Sequence, residues 1–189
     1  MKKVLVIIVV LIATITATAQ NYQLTDGAYD QKIVEQYEGV NATTLYVRAL
    51  EALSDWSGSQ SQSKINIDVQ DKEQGLVVYK GTLFVGFHKA NVMAGWNVYT
   101  DFTLKIKCKD GRAQLSCHVP SATFDWTAKQ YPATETVPLG SIYPEYNYTS
   151  KYRIKKSAIE WAPQIPPLFD KILKDLATKM KQQNQDDDF

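Results

Sequence analysis

Residues 99–119, YTDFTLKIKCKDGRAQLSCHV, decide the fold class of this chain. Apolar side chains fall on every second residue on both sides of Asp110-Gly111, a pair that accommodates the positive φ angles of a tight turn. The pattern predicts a β-hairpin with one apolar and one polar face. The apolar face comprises Phe102, Leu104, Ile106, Cys108, Ala113, Leu115, Cys117 and Val119. Other elements must cover that face, whereas the polar face, with Lys105, Lys107, Arg112 and Gln114, is expected to be only solvated.

The only two cysteines of the chain, Cys108 and Cys117, both lie on the apolar face of this hairpin. With the turn at residues 110–111, Cys108 faces Ala113 and Cys117 faces Leu104, so the thiols are separated by roughly 13 Å along the strands. A disulfide needs Cα atoms within about 7 Å. The register favours two buried free thiols, and a bridge would need a different register.

Helical spacing of apolar residues predicts two amphipathic helices. The first follows Asn41, a favourable N-cap, and runs for about four turns. The second begins near residue 165, where Pro166 and Pro167 are tolerated in the first turn. The predicted apolar stripes are Leu45, Ala49, Ala52, Leu53 and Trp56 in the first helix, and Ile165, Leu168, Ile172, Leu173, Leu176 and Met180 in the second.

Alternation elsewhere predicts three more strands, at 31–40, 65–70 and 76–87, giving an antiparallel sheet of about five strands. Residues 21–30 are expected to be a loose leader. Residues 120–160, where the alternation fails, are expected to be a long aromatic-rich connection. The order is then β-α-β-β-β-β-α, which is typical of a two-layer α+β domain with two helices on one face of the sheet.

Residues 1–19 have the pattern of a secretory signal peptide. Lys2 and Lys3 precede an apolar core of about ten residues, too short for the roughly 20 that span a bilayer. We expect cleavage before Gln20, no membrane span afterwards and, because no cysteine follows the cut, no lipid anchor there. The mature chain is therefore predicted to be periplasmic or secreted.

The mature chain is close to electrically neutral. Removing Lys2 and Lys3 from 21 basic residues, against 20 acidic ones, leaves a net charge of about −1. Nucleic-acid-binding proteins usually carry a clustered basic face, so no nucleic-acid partner is expected. The length of the mature chain suits a single domain, at 20–183, followed by a flexible tail at 184–189.

Three segments carry distinctive turn and cap motifs: EGVNATTLYVRALEAL at 38–53, INIDVQDKEQGLVVYKGTL at 65–83 and FTLKIKCKDGRAQL at 102–115. The motif residues are Gly39, Leu45-Tyr46, Arg48-Ala49, Asp71 to Glu73 with Gly75, Lys80-Gly81, and Lys109 to Arg112. Together they resemble a bacterial family of exported domains of unknown function with a TATA-box-binding-protein-like fold. The resemblance covers about residues 32–119 and implies a β-α-β4-α layout with no catalytic residue.

Aromatic residues beyond the hairpin are the candidates for a binding surface, since Tyr and Trp can stack on sugars or anchor a protein partner. The candidates are Trp126, Tyr131, Tyr143, Tyr146 and Tyr148. The alternative is that they cap a sheet edge or the core. The same segment could also cover Leu76, Val78 and Phe84, which lie on the nominally polar side of their strand.

Little in the sequence points to catalysis. His88 and His118 are the only histidines, and both are interpreted as surface residues. Glu35 and Glu38 flank a strand without the pattern of an acid–base pair. No catalytic residue, cofactor or metal is predicted. The sequence favours an exported, non-catalytic binding or assembly module of the cell envelope, with an envelope protein or a glycan as partner. The alternatives are a carbohydrate-binding domain that uses exposed Tyr and Trp, or an envelope enzyme with an unrecognised site.

Overall fold

An antiparallel sheet with two helices on one face makes up the part of the chain that the structure describes. The computed structural model describes residues 24–89, 95–127, 133–142 and 160–182. The predicted signal peptide at 1–19 and the predicted tail at 184–189 lie outside these residues.

Within the described residues the sheet has seven strands, and two α-helices accompany it. The strands are β1 (Leu24–Thr25), β2 (Ala28–Gln36), β3 (Lys64–Asp71), β4 (Leu76–Lys89), β5 (Gly95–Lys109), β6 (Arg112–Trp126) and β7 (Thr134–Pro138). The helices are α1 (Ala42–Gly58) and α2 (Ile165–Gln182), and single 3₁₀ turns lie at Leu139–Ile142 and Ala162–Gln164.

The strand order across the sheet is β1-β2-β6-β5-β4-β3, with β7 also paired to β6. The long strand β6 has two neighbours on one side, because β2 pairs with its first half and β7 with its second half. Helix α1 packs on β4, β5 and β6, and α2 packs on β2 and β6. The α+β class, the antiparallel pairing and the two covering helices are as predicted.

The opening hairpin is confirmed. β5 and β6 flank residues 110–111, with Lys109 opposite Arg112, and all eight residues of the predicted apolar face are buried. Cys108 pairs with Ala113 and Cys117 with Leu104, as predicted. Both cysteines are free and buried.

The predicted strand count of five is wrong, and the first reason lies at the start of the domain. The expected loose leader at 21–30 contains β1 and the beginning of β2, which form a small hairpin with Thr25 opposite Ala28. Its turn is Asp26-Gly27, whose φ angles are 50° and 78°. The same residue pair that marks the turn at 110–111 therefore marks a second turn.

The second reason lies beyond Val119, where β6 continues to Trp126 and β7 follows. The register between β5 and β6 shifts between Asp101 and Thr103. This bulge moves the buried positions of β6 from odd to even numbers, so that Ala122 and Phe124 are buried. Alternation is preserved but changes phase, and the first part of the predicted connection at 120–160 is strand.

Pro120 is compatible with this strand because of where it falls along β6. The pairing with β2 ends at Val119, and the pairing with β7 begins at Ser121. Proline cannot donate a ladder hydrogen bond, so it is tolerated at such a gap between partners.

A second bulge corrects the predicted face of β4. The register with β5 shifts between Phe84 and Gly86, which turns Gly86 and His88 toward the helices. Phe87, predicted to share the buried face with Val77, is 48% exposed on the opposite side. In the edge strand β3, Ile67 was predicted to be half-buried and is 50% exposed, and a register shift follows it.

The core joins both helices to the hairpin. Trp56 of α1 packs edge-on against Phe102 of β5, with ring centroids 5.8 Å apart, and Phe102 packs against Phe169 of α2 at 5.7 Å. Phe169 is fully buried, although the predicted stripe of α2 omitted it, whereas Leu168 is only partly buried. Neither helix in the described ranges is long and apolar enough to cross a membrane.

Candidate functional site

Of the five aromatic residues predicted as a binding surface, the structure describes Trp126. Its ring packs on that of Trp96 at a centroid distance of 4.9 Å, and it is partly buried. Trp96 in turn packs against the core. Trp126 therefore contributes to packing at the end of β5 and β6. Tyr131, Tyr143, Tyr146 and Tyr148 lie outside the described residues.

The apolar residues on the nominally polar side of β4 find neighbours within the sheet. Phe84 packs against Tyr99 of β5, with centroids 5.4 Å apart. Val78 is buried and lies beside Lys105 in the register. The predicted cover by the aromatic-rich segment at 120–160 falls largely on residues that the structure does not describe.

We call the side of the sheet opposite the helices the open face, because no helix of the described residues packs on it. Its side chains form rows across β2, β6, β5 and β4. The three rows nearest the 110–111 turn are Lys32–Ser116–Lys105–Val78, then Val34–Gln114–Lys107–Leu76, then Gln36–Arg112–Lys109. We call these the basic rows.

The basic rows hold five cationic side chains and no acidic one: Lys32, Lys105, Lys107, Lys109 and Arg112. Within the described residues none of the five forms an ion pair. Lysines elsewhere do: Lys80 lies 2.8 Å from Asp68, and Lys181 lies 2.6 Å from Glu35. None of the five cations is therefore neutralised by a direct ion pair among the described residues, although Asp30 lines the groove that holds Lys32 and Lys105 and Asp71 of β3 lies opposite Leu76.

Two grooves follow the basic rows. A groove of about 320 Å³ is lined by Val34, Lys107, Lys109, Arg112 and Gln114. Val34 is 51% exposed, which leaves an apolar patch among the cations. The neighbouring groove, of about 490 Å³, is lined by Asp30, Gln31, Lys32, Thr103, Lys105, Ser116, Cys117 and His118.

The far end of the open face has a different chemistry. The Thr82 hydroxyl donates to Asp101 at 3.0 Å, and the Ser121 hydroxyl donates to the same carboxylate at 2.7 Å. Thr134 donates to Asp125 at 2.7 Å. A groove of about 310 Å³ there is lined by Gln62, Lys64, Thr82, Tyr99, Thr123, Asp125 and Thr134. Several polar side chains that line this groove, such as Thr82, Asp125 and Thr134, are already engaged in hydrogen bonds within the protein.

The side chain of each histidine contacts a carboxylate within hydrogen-bonding distance. His118 Nδ1 lies 2.8 Å from Asp30 on the open face, where the sequence predicted a surface residue. His88 Nδ1 lies 3.0 Å from Glu160, in a more enclosed position than predicted. In the described ranges, no group of three or more His, Cys, Asp or Glu side chains is placed to hold a metal ion.

The two thiols are poorly placed for nucleophilic chemistry. Burial in the core raises the pKa of Cys108 and that of Cys117 to about 12. The reactive form of cysteine is the thiolate. Both side chains therefore stay protonated and buried at neutral pH.

The polar face of the hairpin was predicted to be only solvated, and the basic rows were not predicted. Lys105, Lys107 and Lys109 alternate along one strand, which was a visible signal. The contribution of β2 was not visible, because it depends on the pairing of Lys32 with Ser116 and of Val34 with Gln114.

Comparison with known proteins agrees with this architecture. Residues 31–121 match the model of a domain of unknown function (DUF4468) with TBP-like fold. A DUF4468 family protein from Bacteroides ovatus is similar in structure, with a TM-score of 0.59, 13% identity, and coverage of 87% of this chain and 91% of that one. A TBP-like protein from Parabacteroides distasonis has a TM-score of 0.55, 9% identity, and coverage of 82% and 96%.

Among curated proteins, none matches the chain. The structural neighbours share so little sequence that they establish the fold alone. The family model ends near the bulge of β6, close to the boundary of the motif resemblance at 32–119. By this match, residues 31–121 resemble the family of domains of unknown function DUF4468 with TBP-like fold.

Proposed function

We propose that the protein is an exported, non-catalytic binding module of the bacterial cell envelope and that it engages its partner through the open face. The observation that carries the proposal is the one-sided covering of the sheet. Both helices of the described residues pack on one face, and the basic rows on the other face expose unpaired cations and Val34. The signal-peptide pattern at 1–19 supports export.

A binding role also fits the chemistry of the reactive side chains. The thiols are buried and protonated at neutral pH, and each histidine is bonded to a single carboxylate. The open face, in contrast, presents grooves wide enough for a ligand across three neighbouring strands.

Neutral sugar binding is a second candidate, favoured by the groove beside Tyr99. Aromatic rings stack on sugar faces, and Asp125 and Thr134 could exchange their mutual hydrogen bond for bonds to sugar hydroxyls. A sugar bound there would have to break the hydrogen bond between Thr134 and Asp125. The basic rows, whose cations have no ion pair to break, are therefore the better candidate for a ligand site.

The proposal is tested by co-sedimentation of the exported chain with a purified envelope fraction. The Ser116→Trp variant places an indole between Lys32 and Lys105 in the outermost of the basic rows, whereas Lys174→Trp places one on the exposed surface of α2. We expect wild type and Lys174→Trp to sediment equally and Ser116→Trp to be retained at least about fivefold less, because the indole obstructs the surface.

Circular dichroism of the three proteins checks that both variants are folded. Equal retention of the Ser116→Trp variant and wild type would remove the open face from the proposal. Failure of wild type to sediment at all would remove the envelope role itself.

A further inference from the structure

We propose that the basic rows bind a linear glycan that carries carboxylate groups. This inference rests on the proposed function and deepens it by naming the class of ligand. It starts from the five cations of the rows, which have no ion-pair partner among the described residues.

The clustering of charge is local. The chain carries a formal net charge of only +1, so a random patch of this surface would be mixed in sign. Lys109 lies directly opposite Arg112, and like charges at opposed cross-strand positions destabilise a sheet. An anion bound between Lys109 and Arg112 would reduce this repulsion. The pairing of two cations is therefore better explained by an anionic ligand than by exposure to water alone.

The spacing of the cations favours a polymer over a single ion. Lys105, Lys107 and Lys109 occupy alternate positions of β5, so neighbouring members are separated by about 6.8 Å along the strand. Lys32 and Arg112 flank this line from β2 and β6. The result is a track of positive charge that matches negative groups repeated along an extended chain.

The remaining side chains of the rows suit a sugar. Gln114 in one groove and Ser116 in the neighbouring groove offer hydrogen-bonding groups for hydroxyls, and exposed Val34 offers an apolar contact for the C–H face of a ring. The guanidinium of Arg112 can bind a carboxylate with two parallel hydrogen bonds.

Other anionic partners fit less well. A membrane surface is bound by cations together with exposed Trp, Phe or Leu, whereas Val34 is the only exposed large apolar residue of the basic rows. Protein interfaces are depleted in lysine and enriched in aromatic residues, the opposite of this composition.

The test measures binding of polygalacturonate, a linear glycan with a carboxylate on each sugar, to the exported chain by isothermal titration calorimetry. The triple variant Lys105→Gln, Lys107→Gln, Lys109→Gln removes the track. The matched triple variant Lys171→Gln, Lys174→Gln, Lys179→Gln removes the same charge from α2. We expect about tenfold weaker binding by the first variant and less than twofold change in the second.

Controls with neutral dextran, anionic phospholipid vesicles and duplex DNA are run at the same ionic strength. Tighter binding to dextran, vesicles or DNA than to polygalacturonate would overturn the assignment, as would equal weakening in both triple variants. If polygalacturonate does not bind while Ser116→Trp still lowers envelope retention, the glycan assignment fails and the proposed function stands. Loss of both results would reject the proposed function as well.

Discussion

The register of the hairpin determines which residues lie opposite Cys108 and Cys117, and therefore whether the two thiols can form a disulfide. Each cysteine lies opposite an apolar partner, Cys108 opposite Ala113 and Cys117 opposite Leu104. The two thiols therefore belong to different rows of the same buried face. Their positions could be derived from the sequence because a two-residue turn determines every later pair of the hairpin.

The cysteines are expected to be unreactive in the folded protein. At pH 8, below their pKa of about 12, the buried thiols should not react with a thiol reagent such as Ellman's reagent, and two equivalents should react after unfolding in guanidinium. The measurement is the absorbance of the released thionitrobenzoate. Rapid reaction in the native state, or no reaction after unfolding, would contradict the assignment of free buried thiols.

The same pKa shifts predict a pH dependence of stability. A thiol whose folded pKa is raised from 9.0 to about 12 stabilises the fold fully below pH 9, and this contribution is lost as the pH rises toward 12. The free energy of unfolding should fall between pH 9 and 11, and fall less in the double variant Cys108→Ala, Cys117→Ala. Denaturant titrations at the two pH values give the comparison; an identical fall in both proteins would assign it to other groups.

At the scale of elements, the start of α1 joins the helix to the hairpin turn. The Asn41 Oδ1 atom accepts a hydrogen bond from the Thr44 N–H at 2.8 Å, as expected of an N-cap. The Ala42 N–H donates to the Asp110 carboxylate, also at 2.8 Å. The cap was predictable from sequence because it is local, whereas the bond to Asp110 joins residues far apart in the chain.

Replacement of the cap should weaken α1 without changing the fold. Asn41→Ala removes the acceptor for the Thr44 N–H and should lower the free energy of unfolding by about 1 kcal/mol. Asn41→Ser keeps an acceptor oxygen and should stay close to wild type. Urea titrations followed by circular dichroism measure both. A loss as large in Asn41→Ser as in Asn41→Ala would show that the side chain does not act as a cap.

Strand boundaries were less predictable than helix boundaries, and the bulges explain why. One inserted residue near Val119 shifts the phase of alternation in β6, so a search for a fixed two-residue period ends where the strand in fact continues. The bulge near Val85 in β4 also shifts the phase of alternation, and for this reason Phe87 was predicted on the wrong face. A bulge depends on the partner strand, which a single run of sequence does not contain.

At the scale of the whole molecule, the core is one connected unit. The ring of Phe102 contacts Trp56 on one side and Phe169 on the other, so the hairpin, α1 and α2 share one aromatic contact chain. Trp56 was part of the apolar stripe predicted for the first helix, whereas Phe169 was not part of the stripe predicted for the second. Cooperative unfolding of all three elements is expected from this connection.

Truncation of Phe169 should destabilise the entire domain. Phe169→Ala leaves a cavity between α2 and the hairpin and should cost about 3–5 kcal/mol of unfolding free energy. Leu168→Ala, at a partly buried neighbour, should cost less than half as much. Guanidinium unfolding followed both by tryptophan fluorescence and by circular dichroism measures the two changes. Similar costs for the two variants, or separate transitions for the two probes, would contradict a single core.

The sequence by itself determined the local features of this protein. It predicted the hairpin, its turn, the states of Cys108 and Cys117, the cap at Asn41 and the two covering helices, because each depends on residues close in the chain or on a simple period. The tertiary structure decided the rest. It set the strand number, the phase changes at the bulges and the assembly of the basic rows, since Lys32 and Val34 reach Lys105, Lys107 and Arg112 only through the long-range pairing of β2 with β6.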